Sequence, residues 1–176
     1  MIKKILLNSF LAIFVFYFVL ILILPKSEIW YKIESELYKH KVVVDDETLN
    51  ETPLFLDVQN GKILFEALRV AKFENKSLLL TGLYNKIEAE NLQLGEDTAG
   101  FREFFFENLS VTHSVISPMI LSISGFGNFG ELKGRFNIET KQIDLLVQPS
   151  DKLKKERSVM RHLKKHEKGY IYNAKF

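Results

Sequence analysis

Three stretches of this chain hold residue types whose spacing could do chemistry. Gly125-Phe126-Gly127-Asn128-Phe129-Gly130 matches G-x-G-x-x-G, the turn that seats a dinucleotide pyrophosphate at a helix N-terminus. His162 and His166 stand four apart, which on a helix presents two metal ligands on one face. Asp45-Asp46-Glu47 gathers three carboxylates. Each is outweighed by its surroundings. Residues 132–139 alternate like a strand rather than opening a helix, so the glycines fit strands that bend or pass closely. Lys152, Lys154, Lys155, Arg157, Arg161, Lys164 and Lys165 surround the histidine pair and would repel a cation. The acidic run reads as a solvated turn. His113 falls on the apolar parity of a strand, where a satisfied core or rim histidine belongs, and Ser114, Ser117, Ser122 and Ser124 sit in no G-x-S-x-G elbow. There is no cysteine, which excludes disulfides, thiolate metal sites and a cysteine nucleophile. The expectation is a protein without catalysis, metal or cofactor.

The element that must position any site is the apolar run at residues 5–24, uninterrupted from Phe10 to Leu24. Twenty helical residues rise about 30 Å, the hydrocarbon thickness of a bilayer. Lys3 and Lys4 precede the run, and Leu24-Pro25-Lys26-Ser27-Glu28 follows it without a small-residue cleavage site. The stretch therefore reads as an uncleaved transmembrane anchor rather than a secretory signal. More basic residues follow the span than precede it, but a long trailing domain crosses largely regardless of charge. The expected arrangement is a cytoplasmic tail at 1–4 and an exported domain.

Charge narrows the partners. Residues 27–150 carry 12 Lys and Arg against 19 Asp and Glu, a balance of −7, and residues 151–176 carry 9 against 3, a balance of +6. An acidic body with a basic tail argues against nucleic acid. It leaves the tail free to meet anionic lipid, a protein, or the acidic body itself.

Residues 25–40 read as an amphipathic connecting helix, with Ile29, Ile33 and Leu37 at intervals of four and Ser27 as its cap. Trp30 and Tyr31 stand where aromatic side chains favour the headgroup layer. The helix then lies on the membrane surface, or it packs on the first strands. From 41 to 149 the period is two. Asn60-Gly61 between alternating runs predicts a β-hairpin. Residues 68–73 and 77–83 read as a pair turned at Glu74-Asn75-Lys76. Along 86–94 the apolar parity switches near Asn91, which predicts a bulge or sharp bend. Thr140-Lys141 is a tight connection. Ser150 caps a basic helix over 150–168 with a thin seam of Leu153, Met160 and Leu163, and 169–176 is a closing strand. Eight to ten strands with short connections leave no room for βαβ crossovers. The expected fold is mainly β: a transmembrane helix, then a curved, mostly antiparallel β-sheet domain with a short helix at each end.

Leu24-Pro25, the short helix and Pro53-Leu54-Phe55-Leu56-Asp57-Val58-Gln59-Asn60-Gly61 open a longer pattern. Ser124-Gly125-Phe126-Gly127, Gly130, Leu132-Lys133-Gly134-Arg135-Phe136, Ile143-Asp144-Leu145 and Pro149-Ser150 continue it. Over most of 22–150 this resembles the type II secretion system protein N family (GspN) and its AsmA-like relatives, in layout and glycine placement rather than in a catalytic motif. The resemblance implies a single-pass protein of the bacterial inner membrane with its domain in the periplasm, a non-catalytic part beside other secretion-system subunits. AsmA-like proteins, and similarly the lipopolysaccharide-transport protein C, imply the rival: an open sheet whose apolar groove holds the acyl chains of lipid or lipopolysaccharide. Phe104, Phe106, Leu121 and Ile123 would line that groove if one sheet face stays uncovered. Lys154, Lys155, Arg161 and Lys165 would meet anionic lipid or a partner. The basic helix and closing strand depart from the family pattern.

Overall fold

The computed structural model describes residues 2–66, 68–95 and 103–175. Helix α1, Ile2–Ile23, has 22 residues, about 33 Å at the α-helical rise. Its apolar window has a mean hydropathy of 2.7 and is 6% buried against the rest of the chain. It is long and apolar enough to cross a membrane. Helix α2, Lys26–Lys39, follows across Leu24 and Pro25. Polar groups build this joint. Lys26 is fully buried, and its ammonium donates to the carbonyls of Leu24 (3.1 Å) and Ile21 (3.4 Å) at the end of α1, where a helix leaves carbonyls without partners. The amides of Lys26 and Ser27 donate to the Glu51 carboxylate at 3.0 and 3.1 Å. The Ser27 hydroxyl joins them and holds Glu51 below the usual carboxylate range. Ser27 thus sits inside the helix, and the cap comes from a strand end rather than from Ser27 itself.

Thirteen antiparallel strands form one open sheet among the described residues. They are β1 (Val42–Asp45), β2 (Thr48–Glu51), β3 (Phe55–Gln59), β4 (Lys62–Phe65), β5 (Leu68–Lys72), β6 (Asn75–Leu80) and β7 (Tyr84–Leu94). After them come β8 (Phe105–Ser114), β9 (Ile120–Gly127), β10 (Gly130–Asn137), β11 (Gln142–Pro149), β12 (Lys164–His166) and β13 (Gly169–Lys175). The order is β1-β4-β5-β7-β8-β9-β10-β11-β13-β12, with β2-β3-β6 lying beside the first half of β7.

The excess over the eight to ten expected strands comes from one crease. Long strands break on a common line, at Asp46 between β1 and β2, Asn60 between β3 and β4, Phe73-Glu74 between β5 and β6, and Asn91 within β7. Asp46, Asn60 and Asn91 take φ of 62°, 57° and 50°, a region that Asn and Asp tolerate better than other side chains. The Asn60 amide donates to the Glu74 carbonyl at 2.8 Å, and the Asn91 side-chain amide donates to the Glu74 carboxylate at 2.8 Å, so the breaks are bonded to one another. Asn60-Gly61 is therefore not the expected hairpin turn: β3 pairs with β2 and β6, and β4 with β1 and β5. Nor does the chain reverse at Glu74-Asn75-Lys76, since β5 and β6 both run along β7. The expected break near Asn91 is present. Gly61 is required by proximity: a Cβ there would stand 2.2 Å from the Phe73 ring.

The crease folds the sheet over itself and makes the first core. Leu56, Val58 and Leu78 on one side meet Ala71 and Phe73 on the other, with Leu92 and Trp30 of α2 between them. Trp30 is fully buried, so it is a core residue and not the membrane-interface side chain read from the sequence, whereas Tyr31 is 57% exposed. Of the two readings of α2, packing on the first strands is the one observed.

The expected basic helix over 150–168 is broken. It is two short helices, α3 (Asp151–Lys155) and α4 (Arg157–Met160), followed by strand β12. Ser150 does cap α3, accepting from the Leu153 amide at 3.2 Å. Glu156, with φ −82° and ψ 88°, leaves the helical region and turns α4 away. Lys164–His166 then pairs with Gly169–Ile171 across a turn, using backbone groups that no side-chain periodicity reveals. The closing strand is present as β13.

Candidate functional site

Directly paired residues share a sheet face. Following the registers from β7 to β13 collects Ile87, Val111 and Ile123 in one row, and His113, Leu121, Phe136 and Ile143 in the next. Leu109, Gly125, Leu132, Val147 and Tyr170 form a third. The opposite face carries Ser110, Thr112, Ser122, Ser124, Lys133, Arg135, Asp144 and Asn173. The alternation of β8–β11 thus gives one mainly apolar face and one mainly polar face, the latter also carrying Ile120, Phe126, Leu146 and Ile171.

The apolar face is unevenly covered. Helix α2 and the folded-over β1, β4 and β5 cover its β3–β6 side. The two short helices cover the far end of β8–β11, where Leu153, Val159, Met160 and Leu163 meet Phe104, Phe129 and Val147. Between these covers, Val111, Leu121, Ile123, Phe136 and Ile143 belong to neither core and stay partly exposed. Below the short helices the face continues into a cavity of about 150 Å³ lined by apolar side chains alone, among them Phe106, Phe129, Leu132, Val147, Val159 and Leu163.

The expected groove residues therefore divide. Leu121 and Ile123 lie on the bare stretch. Phe104 is buried under α3. Phe106 lines the cavity, its ring 4.5 Å from that of Phe129 in an edge-on pair. Phe129, Leu132, Val147, Val159 and Leu163 were not nominated from the sequence. Strand parity would have found Leu132 and Val147, and the thin seam around Leu163 would have found the lid. Gly125-x-Gly127-x-x-Gly130 closes the β9–β10 hairpin rather than opening a helix. Gly130 has φ +118°, and a Cβ there would stand 2.0 Å from the Gln148 carbonyl oxygen.

A depression of about 720 Å³ lies on the opposite face, lined by Lys133, Arg135, Asp144 and His166 together with Ile120, Leu146 and Ile171. Its charges are paired at the surface. Arg135 approaches Asp144 at 3.7 Å and Lys133 approaches Glu131 at 3.5 Å. Hydrogen bonds from Gln142 and Asn173 hold Asp144 below its usual range. This is the chemistry of a solvated sheet face. His162 lies past the end of α4 and His166 in β12, so the pair does not share a helix face. His113 bridges β7 to the β8–β9 turn, with Nδ1 3.4 Å from the Asn85 side-chain amide and Nε2 3.1 Å from the Pro118 carbonyl, a structural role. Asp46 is ion-paired with Lys62 at the crease. Lys154, Lys155, Arg161 and Lys165 are all exposed. They stand at the far end of the strands from α1, about 27 Å along an eight-residue strand.

One titrating cluster lies under α2. Lys76 projects over the Trp30 ring, its nitrogen 4.3 Å from the centroid, a cation–π contact. Burial lowers its pKa to about 8 against the pull of Glu34 and Glu47. Burial raises Glu34 to about 7, and the adjacent Glu47 carboxylate adds to the rise.

Comparison of the chain with protein-family models, with curated proteins and with solved structures finds no match.

Proposed function

We propose that this is a non-catalytic, membrane-tethered lipid-binding module: α1 holds the domain at a bilayer, and the apolar face takes up an acyl chain. The observation that carries the reading is the bare stretch around Leu121 and Ile123 running into a cavity with wholly apolar walls. Leaving such a row against water costs roughly 25 cal/mol per Å² of apolar surface, and contiguous apolar patches on a domain mark binding sites. An acyl chain laid along β9 and β10, its end under the short helices, would recover that cost. The resemblance to AsmA-like proteins, and not the apolar face, is what supports a bacterial inner membrane with the domain in the periplasm. Native mass spectrometry of the full-length protein tests it. Phospholipid or lipopolysaccharide that is retained by the parent chain and lost from a folded Leu121→Asp variant supports the reading. A lipid-free parent chain contradicts it.

A second reading, an accessory subunit in a secretion machine, draws on the sheet edge. Strand β12 covers only Gly169–Ile171 of β13, so among the described residues the outer edge from Tyr172 to Lys175 has a strand neighbour only in β11. Such an edge is suited to strand addition by a protein partner. Crosslinking from Tyr172 in cells distinguishes the readings, because only this one requires a protein adduct there.

A further inference from the structure

The turns at the α1 end of the sheet differ from an ordinary solvated loop set. Residues 81–84 and 114–120 contain no charge. Leu83, Tyr84, Val115 and Met119 are about half exposed, and Ile116 is 90% exposed. Most of their amides nevertheless find partners inside the protein. The Thr81 hydroxyl donates to the Tyr84 carbonyl and accepts from the Tyr84 amide, and the Gly82 amide donates to the Asn85 side chain. The amides of Val115, Ile116, Ser117 and Ile120 donate to Leu83, Ser114, Ser114 and Ser117. Uncharged apolar tips over turns whose amides are mostly bonded within the protein suit a hydrocarbon environment.

A second observation fixes the height of these turns. The Tyr17 hydroxyl of α1 donates to the Thr81 carbonyl at 2.7 Å. Tyr17 lies six residues before the end of α1 at Ile23, about 9 Å down the helix axis. A Tyr hydroxyl inside an apolar helix needs a protein partner, and the β6–β7 turn supplies it at that depth. The neighbouring β10–β11 turn carries Glu139 and Lys141 around its Ile138 tip, which suits the headgroup layer instead.

We infer that the β6–β7 and β8–β9 turns are themselves a membrane-insertion surface, dipping into the acyl layer of the leaflet on the domain's side of the bilayer. The inference rests on α1 spanning that bilayer. It places the bare apolar stretch, whose first residue on β9 is Leu121, directly against the acyl layer, so a lipid tail reaches the sheet without crossing water.

The chain has no cysteine, so single labels are unambiguous. Full-length protein carrying Ile116→Cys, Phe14→Cys or Lys133→Cys, each labelled with an environment-sensitive fluorophore, is placed in phospholipid nanodiscs with spin labels on the acyl chains. The expected result is blue-shifted emission and loss of most fluorescence at 116, matching position 14, with position 133 unaffected. A label at 116 that behaves like 133 while 14 is quenched overturns the inference and leaves the anchor standing. An unquenched label at 14 removes the anchor and the inference with it.

Discussion

Two parts of the same apolar face have been given different fates. On the β3–β6 side the sheet creases over itself and α2 drives Trp30 into the gap, so Leu56, Val58 and Leu78 are completely buried. On β8–β11 the main apolar row is comparable, yet Val111, Leu121, Ile123, Phe136 and Ile143 join neither core and stay partly exposed. Nothing in the composition of the strands separates the two. The crease does, because the left-handed positions at Asp46, Asn60 and Asn91 lie on the first strands only. A sheet that could have closed throughout has been closed on one side, and the open side is where a ligand can bind.

That contrast can be broken from either side. The largest effect is expected from Trp30→Ala, which empties the centre of the covered region and should cost about 3–5 kcal/mol in urea unfolding of the micelle-bound protein. Leu78→Ala should follow at roughly 2–4 kcal/mol. Ser150→Ala removes the α3 cap, which also donates to the Asn128 carbonyl at 2.8 Å, and should cost about 1 kcal/mol. It should also loosen the lid, read as faster amide exchange at Leu153. Ile123→Ala, in the partly exposed row, should cost about 1 kcal/mol, less than Leu78→Ala, since part of its surface stays in contact with water after folding. An Ile123→Ala loss equal to that of Leu78→Ala would mean the open face is covered after all.

The cluster under α2 gives a pH test confined to the covered region. Glu34 binds its proton more tightly folded than unfolded, because its pKa rises from 4.5 to about 7. Between those values the native state holds more protons, so stability falls as pH rises from 4.5 through 7. Lys76 falls from 10.5 to about 8; between 8 and 10.5 the unfolded state holds more protons, and stability rises with pH. The melting temperature should therefore pass through a minimum near pH 7–8, and Glu34→Gln should flatten the acidic limb and, by removing a charge that holds the Lys76 pKa up, extend the basic limb to lower pH.

Much of this architecture was legible in the chain. The long apolar helix, the period-two strands, the break near Asn91 and the Thr140-Lys141 turn follow from local pattern. Asn60-Gly61 misleads because its chemistry and its consequence separate. Asn60 does take positive φ, but Gly61 does not, so the pair breaks a strand instead of making a two-residue hairpin turn, and the partner that decides, Glu74, is remote. Trp30 misleads in a similar way: an aromatic residue just past a span suits an interface or a core, and only the crease provides the core. The C-terminal helix fails at Glu156, one residue whose backbone leaves the helical region inside an otherwise helical composition. Of the groove, Leu121 and Ile123 were readable from parity, while the cavity depended on where α3 and α4 come to rest.

The most direct test of the open face is photocrosslinking with a phospholipid that carries a photoreactive group near the end of one acyl chain, using full-length protein in nanodiscs. Adducts on Ile123, Leu132 or the cavity residues Val159 and Leu163, with none on Ser124, Lys133 or Arg135 of the polar face, are the predicted result. Adducts confined to α1, with the sheet unlabelled, would contradict the account.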